Sequence, residues 1–96
     1  MDMEHIVTQL RAVIDREAAD GCTMASHSLI QPAIRRWRGY ERRNKRNKNK
    51  TFKHRVLDLK KGLLALYPDL YYDEACIAHL AESFAEILYR ELEAKD

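Results

Sequence analysis

The stretch Thr51-Phe52-Lys53-His54-Arg55-Val56-Leu57-Asp58-Leu59-Lys60-Lys61-Gly62-Leu63-Leu64-Ala65-Leu66-Tyr67-Pro68 decides the fold. Phe52, Val56, Leu59, Leu63, Leu66 and Tyr67 recur at the spacing that aligns them on one face of an α-helix. Thr51 carries a hydroxyl suited to capping the free amides of a first turn. Pro68 ends the helix, because the residue before a proline is pushed out of the helical region. A helix with one apolar face must bury it against another element. The reading therefore moves outward in search of partner faces.

Downstream, Asp73 or a neighbour caps a helix over residues 74–93. Ile77, Leu80, Ala81, Phe84, Ile87, Leu88 and Leu92 mark its buried face, and Glu82, Glu86, Arg90 and Glu93 its wet one. Upstream, Met3, Ile6, Val7, Leu10, Val13 and Ile14 form a stripe in a helix over residues 2–19. Asp2 and Glu4 sit where the helix dipole favours acids, and Gly21 supplies a C-terminal stop. Another helix begins near Pro32, since proline is tolerated in a first turn and not in an interior. On it Ile30, Ala33, Ile34, Trp37 and Tyr40 share one side. No period-two strand pattern occurs. The expectation is all-α: a small four-helix bundle, one domain over residues 1–96, with its third and fourth helices as the firmest antiparallel pair. Trp37, Tyr40 and Phe52 are assigned to its core.

Composition narrows the class. A length of 96 residues suits a single domain, and 46% hydrophobic residues are too many for a fully disordered chain. Three glycines and two prolines argue against a turn-rich all-β fold. No run approaches the ~18 apolar residues of a membrane span. The acidic start Met1-Asp2-Met3-Glu4 does not read as a secretory leader. Two cysteines are too few for a disulfide scaffold, so reduced thiols and a cytoplasmic location are expected.

Charge is the informative quantity. The net value is only +2, yet residues 35–61 hold thirteen Lys/Arg against two acids, Glu41 and Asp58. Residues 1–34 carry a net −3 and residues 62–96 a net −6. A basic middle between acidic ends creates a directional field. Arg35 to Arg55 packs eleven Lys/Arg into 21 residues, interspersed with Asn44, Asn47 and Asn49. Arg35, Arg38, Arg42 and Arg46 follow one helical ridge, and Arg36 and Arg43 another. Glu41 to Lys50 contains no apolar residue and contributes nothing to a core, so a basic, partly flexible segment between helices 2 and 3 is expected.

This chemistry suits phosphate recognition. Arginine and lysine neutralise phosphates and release counterions, and asparagine hydrogen-bonds phosphates or base edges. The stretch Arg35 to Lys50 resembles arginine-rich RNA-binding peptides in composition, though it carries no unique motif. The expected function is a nucleic-acid-binding regulator of DNA or RNA, nucleoid-associated or nuclear if the partner is DNA. Arg35, Arg38, Arg42, Arg43, Lys45, Arg46, Lys48, Lys50 and Lys53 are its candidate phosphate contacts, with Arg42 and Arg43 at the centre of the run. The rival is masking of the basic stretch by the acidic fourth helix.

A second class is a protein-interaction module, an inhibitor or adaptor. Asp69-Leu70-Tyr71-Tyr72-Asp73 places large side chains between acids, and tyrosine is enriched at interfaces. A homodimer in which acidic ends meet a basic middle is a related arrangement. A helix-turn-helix centred on Gly21 fits poorly, because it puts Arg16 and Asp20 at positions usually apolar and Glu17 where a small residue belongs. Cys22, His27, Cys76 and His79 could supply a zinc set, but their spacing matches no standard finger and no metal is assigned. Cys76 and His79 lack an identifiable third residue to orient them, and no glycine-rich phosphate loop is present. No catalytic residue and no cofactor are therefore assigned.

Overall fold

The structure is a computed structural model that describes residues 3–44, 51–67 and 73–93. Among the described residues there are four α-helices and no strand: α1 (Met3–Ala19), α2 (Ile30–Arg43), α3 (Phe52–Leu64) and α4 (Glu74–Leu88). A short 3-10 turn, His27–Leu29, leads into α2, and the end of α4 widens into a π turn over Tyr89–Glu93. The chain is a small all-α four-helix bundle. The basic segment expected to be flexible falls largely on residues 45–50, which lie outside the described residues, as do Leu70, Tyr71 and Tyr72.

Local sequence sets the helix ends. Gly21 adopts a φ of 100°, a conformation that glycine reaches without strain. This lets the Cys22 amide donate to the Glu17 carbonyl at 2.9 Å and the Gly21 amide to the Ala18 carbonyl at 3.1 Å. The two bonds form a Schellman closure of α1. Pro32 occupies the first turn of α2, where its missing N–H costs nothing. The Thr51 hydroxyl accepts from the His54 amide at 3.2 Å, and the Asp73 carboxylate from the Cys76 amide at 3.1 Å.

The apolar stripes meet in one core. Ile6, Leu10 and Ile14 of α1 pack with Trp37 of α2, Leu59 and Leu63 of α3, and Ile77, Leu80, Phe84 and Leu88 of α4. The α3–α4 contact is the most extensive between helices. It is antiparallel: Phe52, opening α3, meets Tyr89 beyond α4, while Lys60 pairs with Glu74 at the start of α4. Trp37 and Tyr40 are buried as expected.

Phe52 is not. It is 39% exposed, and Leu66, beyond the end of α3, is 44% exposed. The buried line of α3 is instead Arg55, Leu59 and Leu63. Arg55 takes the inward place because Trp37 and Tyr40 offer it aromatic faces, its Cζ lying 3.8 Å from the Trp37 ring centroid and 4.9 Å from that of Tyr40. Phe52 turns outward and meets the Tyr89 ring edge-on at 5.5 Å.

The expectation of reduced thiols also fails. Cys22 and Cys76 are joined in a disulfide with a Cα–Cα distance of 5.7 Å, tying the turn after α1 to the first turn of α4. The pair escapes a spacing argument because the two cysteines are 54 positions apart and only the folded bundle brings them together. Leu63, 1% exposed, should cost about 2–5 kcal/mol on Leu63→Ala through the cavity it leaves, read from urea unfolding. Reduction of the bridge should lower stability by about 4 kcal/mol in the same assay, from the chain entropy that the closed loop removes.

Candidate nucleic-acid interface

The arginines of the basic stretch divide into two groups. Arg36, Arg43 and Arg55 are engaged within the fold. The Asp58 carboxylate on α3 receives the Arg36 guanidinium in bidentate fashion, Nε to Oδ2 at 3.0 Å and Nη2 to Oδ1 at 2.9 Å. Arg43 Nη2 donates to the same Oδ2 at 2.7 Å and to the Arg36 carbonyl at 2.8 Å. One acid thus serves two arginines and ties α2 to α3. Arg55 is 6% exposed. Its Nη2 donates to the Trp37 carbonyl at 2.8 Å, and its Nη1 pairs with Glu93 at 3.1 Å. Among the described residues its Nε and the Trp37 indole N–H find no hydrogen-bond partner, so this burial rests on ring stacking and the remaining guanidinium contacts.

Two glycines make room for the Asp58 cluster. A Cβ on Gly62 of α3 would stand 2.8 Å from Cγ and Cδ of Arg36, so the arginine stem crosses α3 at a point where no side chain can be. A Cβ on Gly39 of α2 would meet the far ends of two flexible side chains, Arg43 Nη1 at 2.6 Å and Arg42 Nη2 at 3.7 Å.

Arg35, Arg38 and Arg42 form the second group. All three are exposed, and among the described side chains none of them is ion-paired. They line one open depression between α2 and the start of α1, with Met3, Val7 and Ile34 as its apolar side. At 1.5 Å rise per residue the three guanidinium stems are distributed over about 10 Å of helix. The nine candidate contacts therefore separate. Arg35, Arg38 and Arg42 come together. Arg43 is turned to Asp58. Lys53 lines a different depression, with Phe52, Val56 and Glu82. Lys45, Arg46, Lys48 and Lys50 lie outside the described residues.

Masking of the basic stretch is shared between two elements. Asp58 of α3 takes Arg36 and Arg43, while the acidic segment expected as the fourth helix, residues 74–93, contributes Glu93 to Arg55 and Glu74 to Lys60. Only the α2–α3 packing brings Asp58 under Arg36, 22 positions away, so no local spacing marks it as a clamp. The ridge of Arg36 and Arg43 was visible as a spacing, but its inward destination was not.

A separate polar cluster lies at the other end of α1. The Glu17 carboxylate is buried and bonds His79 Nδ1 at 2.5 Å. The bond joins α1 to α4. Nearby, the Tyr67 hydroxyl donates to the Met24 carbonyl at 2.5 Å, and burial raises its pKa above the usual phenol value. Among the described residues no cluster of three or more histidine, cysteine or acidic side chains is arranged to hold a metal ion, and no helix is long and apolar enough to cross a membrane.

Comparison with family models, with curated proteins and with solved structures gave no match to this chain.

The two glycines should respond differently to alanine. Gly39→Ala should be neutral or stabilise by up to about 1 kcal/mol, because helix propensity improves and the Arg43 tip can move aside. Gly62→Ala should forfeit that gain, since it displaces the Arg36 stem from Asp58. Urea unfolding of both variants checks the contrast.

Proposed function

We propose that the protein is a nucleic-acid-binding regulator that contacts phosphates through the exposed arginine face of α2. One observation supports this reading above others. Where the fold needs arginine internally it supplies an acid or a carbonyl, as at Arg36, Arg43 and Arg55, whereas Arg35, Arg38 and Arg42 stand together on the surface without an ion-pair partner among the described residues. Three guanidinium groups held on one rigid helix match a row of phosphates and lose little freedom on contact. In sequence the same ridge runs on to Arg46, flanked by Lys45, Lys48 and Lys50, which extend the phosphate-binding stretch beyond α2.

The arginine face serves binding, to DNA or RNA. The acidic ends of the chain repel nucleic acid from other faces and so restrict the docking direction.

Fluorescence anisotropy with duplex DNA, single-stranded DNA and hairpin RNA, titrated over salt, tests the reading. Substituting Arg35, Arg38 and Arg42 together by alanine should reduce the slope of log K against log salt on duplex DNA by about 3 and leave the unfolding midpoint nearly unchanged. Replacing the exposed Arg11 and Arg16 of α1 should leave binding intact. Asp58→Ala should loosen the α2–α3 contact by about 1 kcal/mol and free two cations, raising affinity for nucleic acid. Absence of binding to all three probes at low salt would overturn the proposal.

A further inference from the structure

We propose that the Cys22–Cys76 disulfide, together with His79 and Glu17, is a thiol–disulfide exchange site that takes small neutral or cationic thiols. The argument is independent of the arginine face.

The two sulfurs differ in access. Cys22 lies half-buried in the turn after Gly21, whereas Cys76 is 9% exposed in the first turn of α4. An incoming thiol therefore reaches the Cys22 Sγ first. Attack along the S–S axis forms a mixed disulfide on Cys22 and expels the Cys76 sulfur. That sulfur departs beside the N-terminal turn of α4, where the helix dipole favours negative charge.

A proton carrier stands next to it. His79 follows Cys76 by three positions on α4, and both line one open depression with Cys22 and Glu17. Glu17 is buried and holds the ring through Nδ1 at 2.5 Å, which fixes the imidazole and leaves Nε2 as its free nitrogen. In the first step the thiol gives its proton to Nε2 as its sulfur bonds to Cys22, and the imidazolium then protonates the Cys76 thiolate. A second thiol attacks the mixed disulfide. Its sulfur bonds to the first thiol's sulfur, Cys22 leaves as a thiolate, and the proton passes to it. The protein disulfide is reduced by two electrons, and two external thiols are oxidised to their disulfide. His79 acts on the reacting atoms, and Glu17 is its positioning residue.

Charge selects the thiol. Besides Glu17, Asp20 after α1 and Asp73 at the cap of α4 border the same depression, and His79 is the only basic side chain among the described residues lining it. An anionic thiol approaches against three carboxylates, and a cationic one approaches with them.

The experiment uses the full oxidised chain with cysteamine, 2-mercaptoethanol and glutathione as cationic, neutral and anionic probes at low ionic strength. Exchange is followed by acid quench, alkylation and mass mapping. Expected are a mixed disulfide on Cys22 with alkylation on Cys76, rates in the order cysteamine, 2-mercaptoethanol, glutathione once corrected for thiolate fraction, and a spread that shrinks with added salt. His79→Gln should slow exchange at pH 7 at least tenfold and steepen its fall with decreasing pH, because the thiol must then ionise unaided. Glu17→Gln should give a smaller loss with an altered pH profile. The comparison of the three thiols on the unsubstituted chain needs no variant to fold. Free thiols in the air-equilibrated protein, an adduct mapped to Cys76, equal corrected rates for all three thiols, or an unchanged rate in a folded His79→Gln protein would each overturn the proposal.

Discussion

The carboxylate of Asp58 is the point on which the arrangement of α2 against α3 depends. Residues 35–61 carry an excess of positive charge, and packing two helices from that segment together brings like charges close. Left unpaired, Arg36 and Arg43 would oppose the contact. Held on one acid they support it, and Gly62 lets the Arg36 stem lie flat enough to reach. Arg55 solves the same problem on the other side, placing its charge against aromatic rings, a carbonyl and Glu93. Among the described arginines of that segment, the fold therefore incorporates three as internal ties and leaves Arg35, Arg38 and Arg42 outside.

Much of the architecture was legible because it is written in local signals. The stripes of α1 and α4 follow helical spacing, and Gly21, Thr51 and Asp73 stop or cap helices through bonds to their near neighbours. Such effects act within a few residues, so periodicity and cap chemistry suffice to find them. Pro32 falls in the first turn of α2 for an equally local reason.

What the linear reading missed was decided by partners distant in the chain. Phe52 fits an apolar stripe, yet the inward direction at that end of α3 belongs to Arg55, because Trp37 and Tyr40 present ring faces there. Nothing near Arg55 in sequence marks it as buried. The Glu17–His79 bond joins residues 62 apart, and the cysteines are nearly as far from each other. At the candidate interface the exposed ridge of Arg35, Arg38 and Arg42 was legible as a spacing. The engagement of Arg43 was not, since it depends on Asp58 crossing from another helix.

The bridge between Cys22 and Cys76 also changes the topology of the molecule. It closes a covalent ring containing α2, α3 and the whole lysine- and arginine-rich stretch, with α1 and most of α4 as its two tails. A protease that cuts after basic residues finds most of its sites inside that ring. One cut there opens the ring and leaves every residue of the chain covalently attached. While the bridge is closed, the segment richest in cleavage sites is one where a single nick separates nothing.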